Sequence, residues 1–241
     1  MWAQKYKFMN AELKYKYYSK GHVVIKGVLN KKDLNACKKQ LLISYKKIFN
    51  KELDYKNIHK FLTKCENNKE WDKMYVAFQD VCKSKSFFNI SKKLGALSKK
   101  FFNVKTKSIT TGYAIGIKNS KRTSYDWHQE KTYYSKIKKK TFHYQFPFFG
   151  KCYKSNGTMS VLEGSHTLGE ILNYSYNRKF KKGVYSYIPN DIKLIKKYFK
   201  EKFLNMDLGD VYIFHENIIH KSNINKTNKI RFAGIVRQQA I

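Results

Sequence analysis

Apolar residues recur at helical spacing through the first hundred positions and in short extended runs after about residue 104, so the chain divides into a helical part and a β-rich part. Residues 1–18 mix aromatics with lysines and predict a short helix starting near Ala11. Gly21-His22-Val23-Val24-Ile25-Lys26 reads as a brief strand after a glycine turn. Asn30 followed by Asp33 is a capping signal, and Leu34, Cys37, Leu41, Leu42, Tyr45 and Ile48 behind it predict an amphipathic helix over 31–49. Residues 50–67 are polar and irregular, with His59 expected at the surface. Helices follow over Glu70–Val81 and Ile90–Phe102, whose Met and aromatic positions suit packing better than a cofactor box. Then β-prone runs alternate with Gly, Asn and Ser clusters: Ile109–Ile117, Tyr125–Glu130, Thr141–Phe149, Thr158–Leu162, Asp210–Phe214 and Ile230–Val236. A lysine-rich helical patch, Asp191–Phe203, interrupts them. With no internal repeat and no low-complexity linker, the expectation is one domain over 1–241. Its helical part is 1–103 and its β core, a sandwich or jelly roll, is 104–241.

Composition changes this picture in one respect. Fifty Lys+Arg against 17 Asp+Glu give a net charge of +33, which invites a nucleic-acid reading. Only four of the fifty are arginines (Arg122, Arg178, Arg231, Arg237), and the lysines are spread evenly among abundant Asn, Ile, Tyr and Phe. That pattern fits a coding bias and a solvated lysine surface better than a nucleic-acid face. The shortage of acids still favours an anionic small-molecule substrate. No apolar run reaches the length of a membrane span, and no signal-like apolar stretch opens the chain. Cys37, Cys65, Cys82 and Cys152 show no metal-ligand spacing, so a cytoplasmic protein with free thiols is expected.

The candidate chemistry centres on Asp126-Trp127-His128-Gln129-Glu130. On a strand, side chains two apart share a face, so His128 and Glu130 would project together. One further histidine completes the 2-His-1-carboxylate triad, which leaves three positions of an iron(II) ion open. A His-x-Glu pair is common by chance, so the remainder of the set decides. His215 and His220 compete for the third place. His220 is preferred because Ser222 and Arg231 are in register with it, while His215, at the end of a strand, suits the core. Arg231 stands out in a lysine-rich chain, since a guanidinium grips a carboxylate with two parallel hydrogen bonds. A dicarboxylate cosubstrate is what such a fork would hold.

Trp127-His128-Gln129-Glu130, Asn156-Gly157, Glu163-Gly164-Ser165-His166, Leu208-Gly209-Asp210, His220-Lys221-Ser222 and Arg231 together resemble the phytanoyl-CoA dioxygenase family, as does the opening Tyr18–Ile25. The likeness runs from about residue 15 to 237. It implies a double-stranded β-helix (jelly-roll or cupin-like) core with N-terminal and flanking helices. It also implies Fe(II) held by His128, Glu130 and His220, and 2-oxoglutarate held by Arg231 with the Ser222 hydroxyl. Gln129 is a candidate cosubstrate contact, although alternation turns it from the metal. Trp127 and Tyr133, within Asp126–Tyr134, and the aromatic strand Phe142–Phe149 are placed on the substrate side. Two departures stand out: Glu130 where the family has aspartate, and Glu163 where it has proline before Gly-Ser-His. The retained carboxylate argues against halogenation. His166 is expected to hydrogen-bond a turn, and His22 and His143 to be structural. The implied activity consumes O2 and 2-oxoglutarate, releases succinate and CO2, and most simply hydroxylates a small anionic metabolite. Desaturation, cyclisation and epimerisation at the same iron site are alternatives, and a non-catalytic polyanion-binding β-fold is the alternative from another class.

Overall fold

A computed structural model describes residues 2–178 and 185–241 of the protein. The first helix, α1 (Trp2–Lys20), begins well before Ala11. It stops at Gly21, whose N–H donates to the Tyr17 carbonyl and whose φ of +77° suits only glycine at low cost. A Cβ there would lie 2.5 Å from Nδ1 of His166. Strand β1 (His22–Ile25) leads to α2 (Lys31–Phe49), which opens on a full capping box between Asn30 and Asp33. The stretch expected to be irregular contains a helix, α3 (Ile58–Asn67). Its Ile58, Leu62 and Cys65 are buried on one face, a short apolar stripe that the surrounding Lys and Asn obscure. His59 is half-buried, and its Nδ1 accepts from the Ile230 N–H at 2.9 Å. Two helices, α4 (Trp71–Cys82) and α5 (Lys85–Phe102), complete the N-terminal part.

The β part comprises β2 (Thr106–Gly116), β3 (Thr141–Phe149), β4 (Met159–Leu162), β5 (Tyr174–Arg178), β6 (Tyr185–Pro189), β7 (Glu201–Phe203), β8 (Val211–His215), β9 (His220–Ser222) and β10 (Arg231–Ala240). Between them lie α6 (Glu130–Tyr133) and α7 (Ile192–Tyr198). An antiparallel five-stranded sheet has the order β1-β8-β3-β10-β2 and faces a three-stranded sheet β7-β4-β9, with β5-β6 a separate hairpin. These are the antiparallel layers of a jelly-roll core. Strand β3 is buried along its whole length because it is covered on both faces. Outward, Phe142, Tyr144, Phe146 and Phe148 join Leu34, Leu41, Phe78, Phe87 and Leu94 of the helices in one cluster. Each such ring contributes roughly 1.5–3 kcal/mol by burial. Inward, Ala114, Met159, Val161, Tyr212, Phe214 and Ala233 join the two sheets. Pro147 sits where the pairing with β10 shifts register between Phe232 and Ala233, a place that tolerates a missing N–H.

Three further sequence expectations need correction. Tyr125–Glu130 is no strand: only His128 pairs, as an isolated bridge, and Glu130 starts α6. The patch Asp191–Phe203 splits into α7 and β7. The aromatic rings of Phe142–Phe149 point to the helices, not the cavity, so Gln145 alone of that strand lines it. Among the described residues no helix is long and apolar enough to cross a membrane. All four cysteines are buried and free.

Candidate metal centre

Backbone pairing brings the two histidines together. His128 N–H donates to the His220 carbonyl and His220 N–H to the His128 carbonyl, each at 3.0 Å. Directly paired residues project side by side, and the two rings stand 4.2 Å apart. Each imidazole is then turned by its own chain. Nδ1 of His128 bonds the Asp126 carbonyl at 2.6 Å, and Nδ1 of His220 bonds the Ile218 carbonyl at 3.0 Å. A carbonyl only accepts, so both Nδ1 atoms carry the proton and both Nε2 atoms keep a lone pair. Burial, and then the neighbouring His220, push the His128 pKa down to about 3, which keeps its imidazole neutral.

After His128 the chain turns into α6, which puts Glu130 beneath the rings. Its Oε1 lies 3.5 Å from Nε2 of His220. One ligand atom from each of His128, Glu130 and His220 falls within 4.8 Å of the others, and all three residues are buried. Burial opposes the Glu130 charge, but the Arg237 guanidinium beside it outweighs that and holds the carboxyl well below its usual range. The Arg237 contact is bidentate, with Nε donating to Oε2 at 2.7 Å and Nη2 to Oε1 at 3.2 Å. His143, expected to be merely structural, lies against the same carboxylate, its Nδ1 3.6 Å from Oε2. Two neutral imidazole lone pairs and one carboxylate suit a divalent transition metal.

Arg231 stands further along the same face of β10, 1% exposed. It fits because its partner on β2 is Gly116, where a Cβ would lie 3.2 Å from the guanidinium Nε. The guanidinium hydrogen-bonds Cys152, yet its Nε and Nη2 have no partner. A buried cation with two idle donors is costly unless an anion completes it. A carboxylate presenting two oxygens would match those two donors.

A cavity of about 690 Å³ lies over the His-Glu-His cluster, with His128, Glu130, His220 and Arg237 among its lining residues, while Arg231 is buried behind that lining. Tyr133 and Ser222 line it as well. Its outer part is aromatic, from Trp71 and Tyr75 of α4 to Tyr125 and Tyr134, with Arg122 beside Trp71. Two sequence candidates point elsewhere. Trp127 packs with Leu162 and Ile219 under the Lys221 ammonium, outside the cavity. Gln129 is spent on main chain: its amide donates to the Gly169 and Asn217 carbonyls and accepts from Ile171 N–H. It therefore ties two loops behind the histidines rather than facing the cavity. His215 takes the Asn217 N–H on Nδ1 and lies against the His166 ring, away from the triad. His166 bonds the Tyr18 carbonyl, and His22 pairs with Glu163. Arg237 is the residue that sequence reading overlooked. The signal was available, since it is an arginine an even number of positions from Arg231 on one strand.

Comparison with known proteins agrees with this arrangement. Residues 17–233 match the family described as Phytanoyl-CoA dioxygenase (PhyH). No curated protein matches the chain. Among solved structures, the epimerase SnoN in complex with Fe3+, alpha ketoglutarate and nogalamycin RO superposes with a TM-score of 0.64 at 10% identity, over 97% of this chain and 84% of that one. The non-heme alpha ketoglutarate dependent carbocyclase SnoK from nogalamycin biosynthesis gives 0.59 at 15% identity, over 95% and 83%. EctD from S. alaskensis with 2-oxoglutarate and 5-hydroxyectoine gives 0.59 at 14%, over 96% and 76%. At such identities the likeness is one of fold.

Proposed function

The chain belongs to the phytanoyl-CoA dioxygenase family, and is thereby an enzyme of the iron- and 2-oxoglutarate-dependent oxygenase superfamily; from that premise we propose that it hydroxylates a small molecule in the cavity over His128, Glu130 and His220. Those three side chains would hold Fe(II), and Arg231, with Ser222 near the cavity wall, would hold the far carboxylate of 2-oxoglutarate. The observation that carries the reading is the pair of idle donors on a fully buried Arg231, on the same strand face as the Arg237 that bonds Glu130 of the His-Glu-His cluster. When bound, iron with 2-oxoglutarate and O2 supplies the oxidising power to functionalise a C–H bond.

The chain's own residues bind, orient and exclude water. Main-chain carbonyls fix the imidazoles, so no reorganisation is needed on metal binding. Tyr133, set edge-on over His128 at 5.5 Å, shields the metal side of the cavity. The aromatic wall suits a ring-bearing or extended apolar substrate. Among the described residues no lysine lines the cavity, so an anionic group on that substrate would meet Arg122 rather than the lysine excess. A second reading follows from SnoN and SnoK, described as an epimerase and a carbocyclase. The same residues would serve epimerisation, cyclisation or desaturation, because substrate placement alone decides among them.

The test is anaerobic. Purified protein with Fe(II) and 2-oxoglutarate should develop a weak visible charge-transfer band that His220→Ala abolishes. A protein that gives no band, but binds polyanions with a steep salt dependence, would be a binding module instead. The product then separates the reactions: it gains oxygen, loses hydrogen, or keeps its composition.

A further inference from the structure

Glutamate at 130 reaches one methylene further than the aspartate the family uses, and a longer arm has one more rotor. Left free, it could turn both oxygens toward one cation. Arg237 removes that freedom unevenly. Oε2 takes the short bond from Nε, 2.7 Å, and also faces His143 Nδ1 at 3.6 Å. Oε1 has only the longer contact to Nη2, 3.2 Å, and is the oxygen turned to His220 Nε2. The guanidinium is itself confined. Its Nη1 would lie 3.5 Å from a Cβ on Gly112, and its carbon sits 5.6 Å from the Tyr134 ring centre.

We propose that Arg237 is a positioning residue that holds Oε2 of Glu130 and thereby presents Oε1 alone to the metal. This rests on the proposed metal site and deepens it. A two-oxygen carboxylate would occupy one of the three positions that a 2-His-1-carboxylate site must leave open for cosubstrate and O2. The glutamate and the arginine therefore act as one device, in which the arginine cancels the reach that the longer acid adds.

The test uses the full chain with Co(II) for affinity and with Fe(II), 2-oxoglutarate and nitric oxide, a stand-in for O2, for open positions. In Arg237→Gln a freed second oxygen can bind and a nearby cation is gone, so the Co(II) Kd should stay within about threefold of wild type, whereas an ordinary outer-shell support would raise it about 10- to 100-fold. The nitric oxide adduct of the Fe(II)–2-oxoglutarate complex should form at least about tenfold more weakly in that variant. Adding Glu130→Asp should restore it, because the shorter acid needs no restraint. A parallel loss of metal and nitric oxide binding, or no change in either, overturns the proposal, as does failure of the double variant to recover. Should Arg237→Gln fold poorly by thermal melting, Arg237→Lys, which keeps the charge but not the fork, must show the same split, and its absence overturns the idea equally. If wild type itself binds no metal, or His220→Ala binds it as well as wild type, it is the metal-site reading that has failed.

Discussion

Two arginines on one face of β10 are in opposite states. Arg237 grips a carboxylate with both arms of its fork, while Arg231, six positions earlier, is the more deeply buried and has two donors with nothing to bond. Residue type and strand are the same, so the difference lies in what faces them. Glu130 is supplied by the chain. Cys152 serves one part of the Arg231 guanidinium, but Nε and Nη2 are left without a partner, and a buried guanidinium left so is expensive unless a ligand completes it. One end of the strand is thus a finished structural contact, and the other, on the proposed function, would be half of a binding site. Stability measurements on the metal-free protein should separate the two.

The largest effect is expected at the finished end. Glu130→Ala strands a mostly buried Arg237, whose partner currently offsets its desolvation, and should cost about 3 kcal/mol in urea unfolding of the metal-free protein. At the unfinished end the sign reverses. Arg231→Met removes an uncompensated charge and should leave the metal-free protein equal or up to about 2 kcal/mol more stable. The same substitution should erase the stabilisation that 2-oxoglutarate gives the Fe(II)-loaded wild type, about 2.7 kcal/mol at a hundredfold excess over Kd. If Arg231→Met destabilises the metal-free protein by several kcal/mol, the guanidinium is a structural strut and the contrast collapses.

Acid sharpens the comparison further, because His143 lies directly against the Glu130 carboxylate. Burial pushes His143 down to about 3 from an ordinary 6.5. A base with its folded pKa depressed stays neutral while the unfolded chain takes up a proton. Its stabilising share is therefore complete above pH 6.5 and is lost as pH falls toward the folded value. At pH 5 the loss is about 2 kcal/mol for this one residue. Urea midpoints at pH 7 and pH 5 should differ less in His143→Phe than in wild type, and an unchanged difference would show that His143 is not the titrating group.

What the sequence made legible follows the range of the forces involved. The helix over Lys31–Phe49 and strand Thr141–Phe149 appear where pattern and capping put them, because apolar periodicity and the Asn30–Asp33 box are local. Helix α3 was hidden because its three buried residues are diluted by lysine and asparagine. His128 and Glu130 meet not by strand alternation but through a single bridge to His220 and the start of α6. Gln129 and Trp127 followed the same false strand toward the cavity, whereas loop carbonyls and an apolar cluster claim them. Even spacing from Arg231 could place Arg237 on the inner face, but its pairing with Glu130 spans 107 positions and no short-range signal names that partner.

The finest test is of space rather than charge. Both arginines lie against glycines of β2, but not equally closely. A Cβ on Gly116 would stand 3.2 Å from Arg231 Nε, tighter than ordinary contact, whereas one on Gly112 would stand 3.5 Å from Arg237 Nη1, an ordinary distance. A methyl at 116 must therefore push the guanidinium by a few tenths of an ångström, enough to spoil a two-bond fork whose geometry is strict. Gly116→Ala should weaken 2-oxoglutarate binding about fivefold, or roughly 1 kcal/mol, with little change in unfolding midpoint. Gly112→Ala should leave it unaltered, since its neighbour is already committed to Glu130. Titration of the charge-transfer band with 2-oxoglutarate reads both. Equal weakening by the two alanines would mean that β2 tolerates no added methyl at all, and that Arg231 has no special claim on the space beside it.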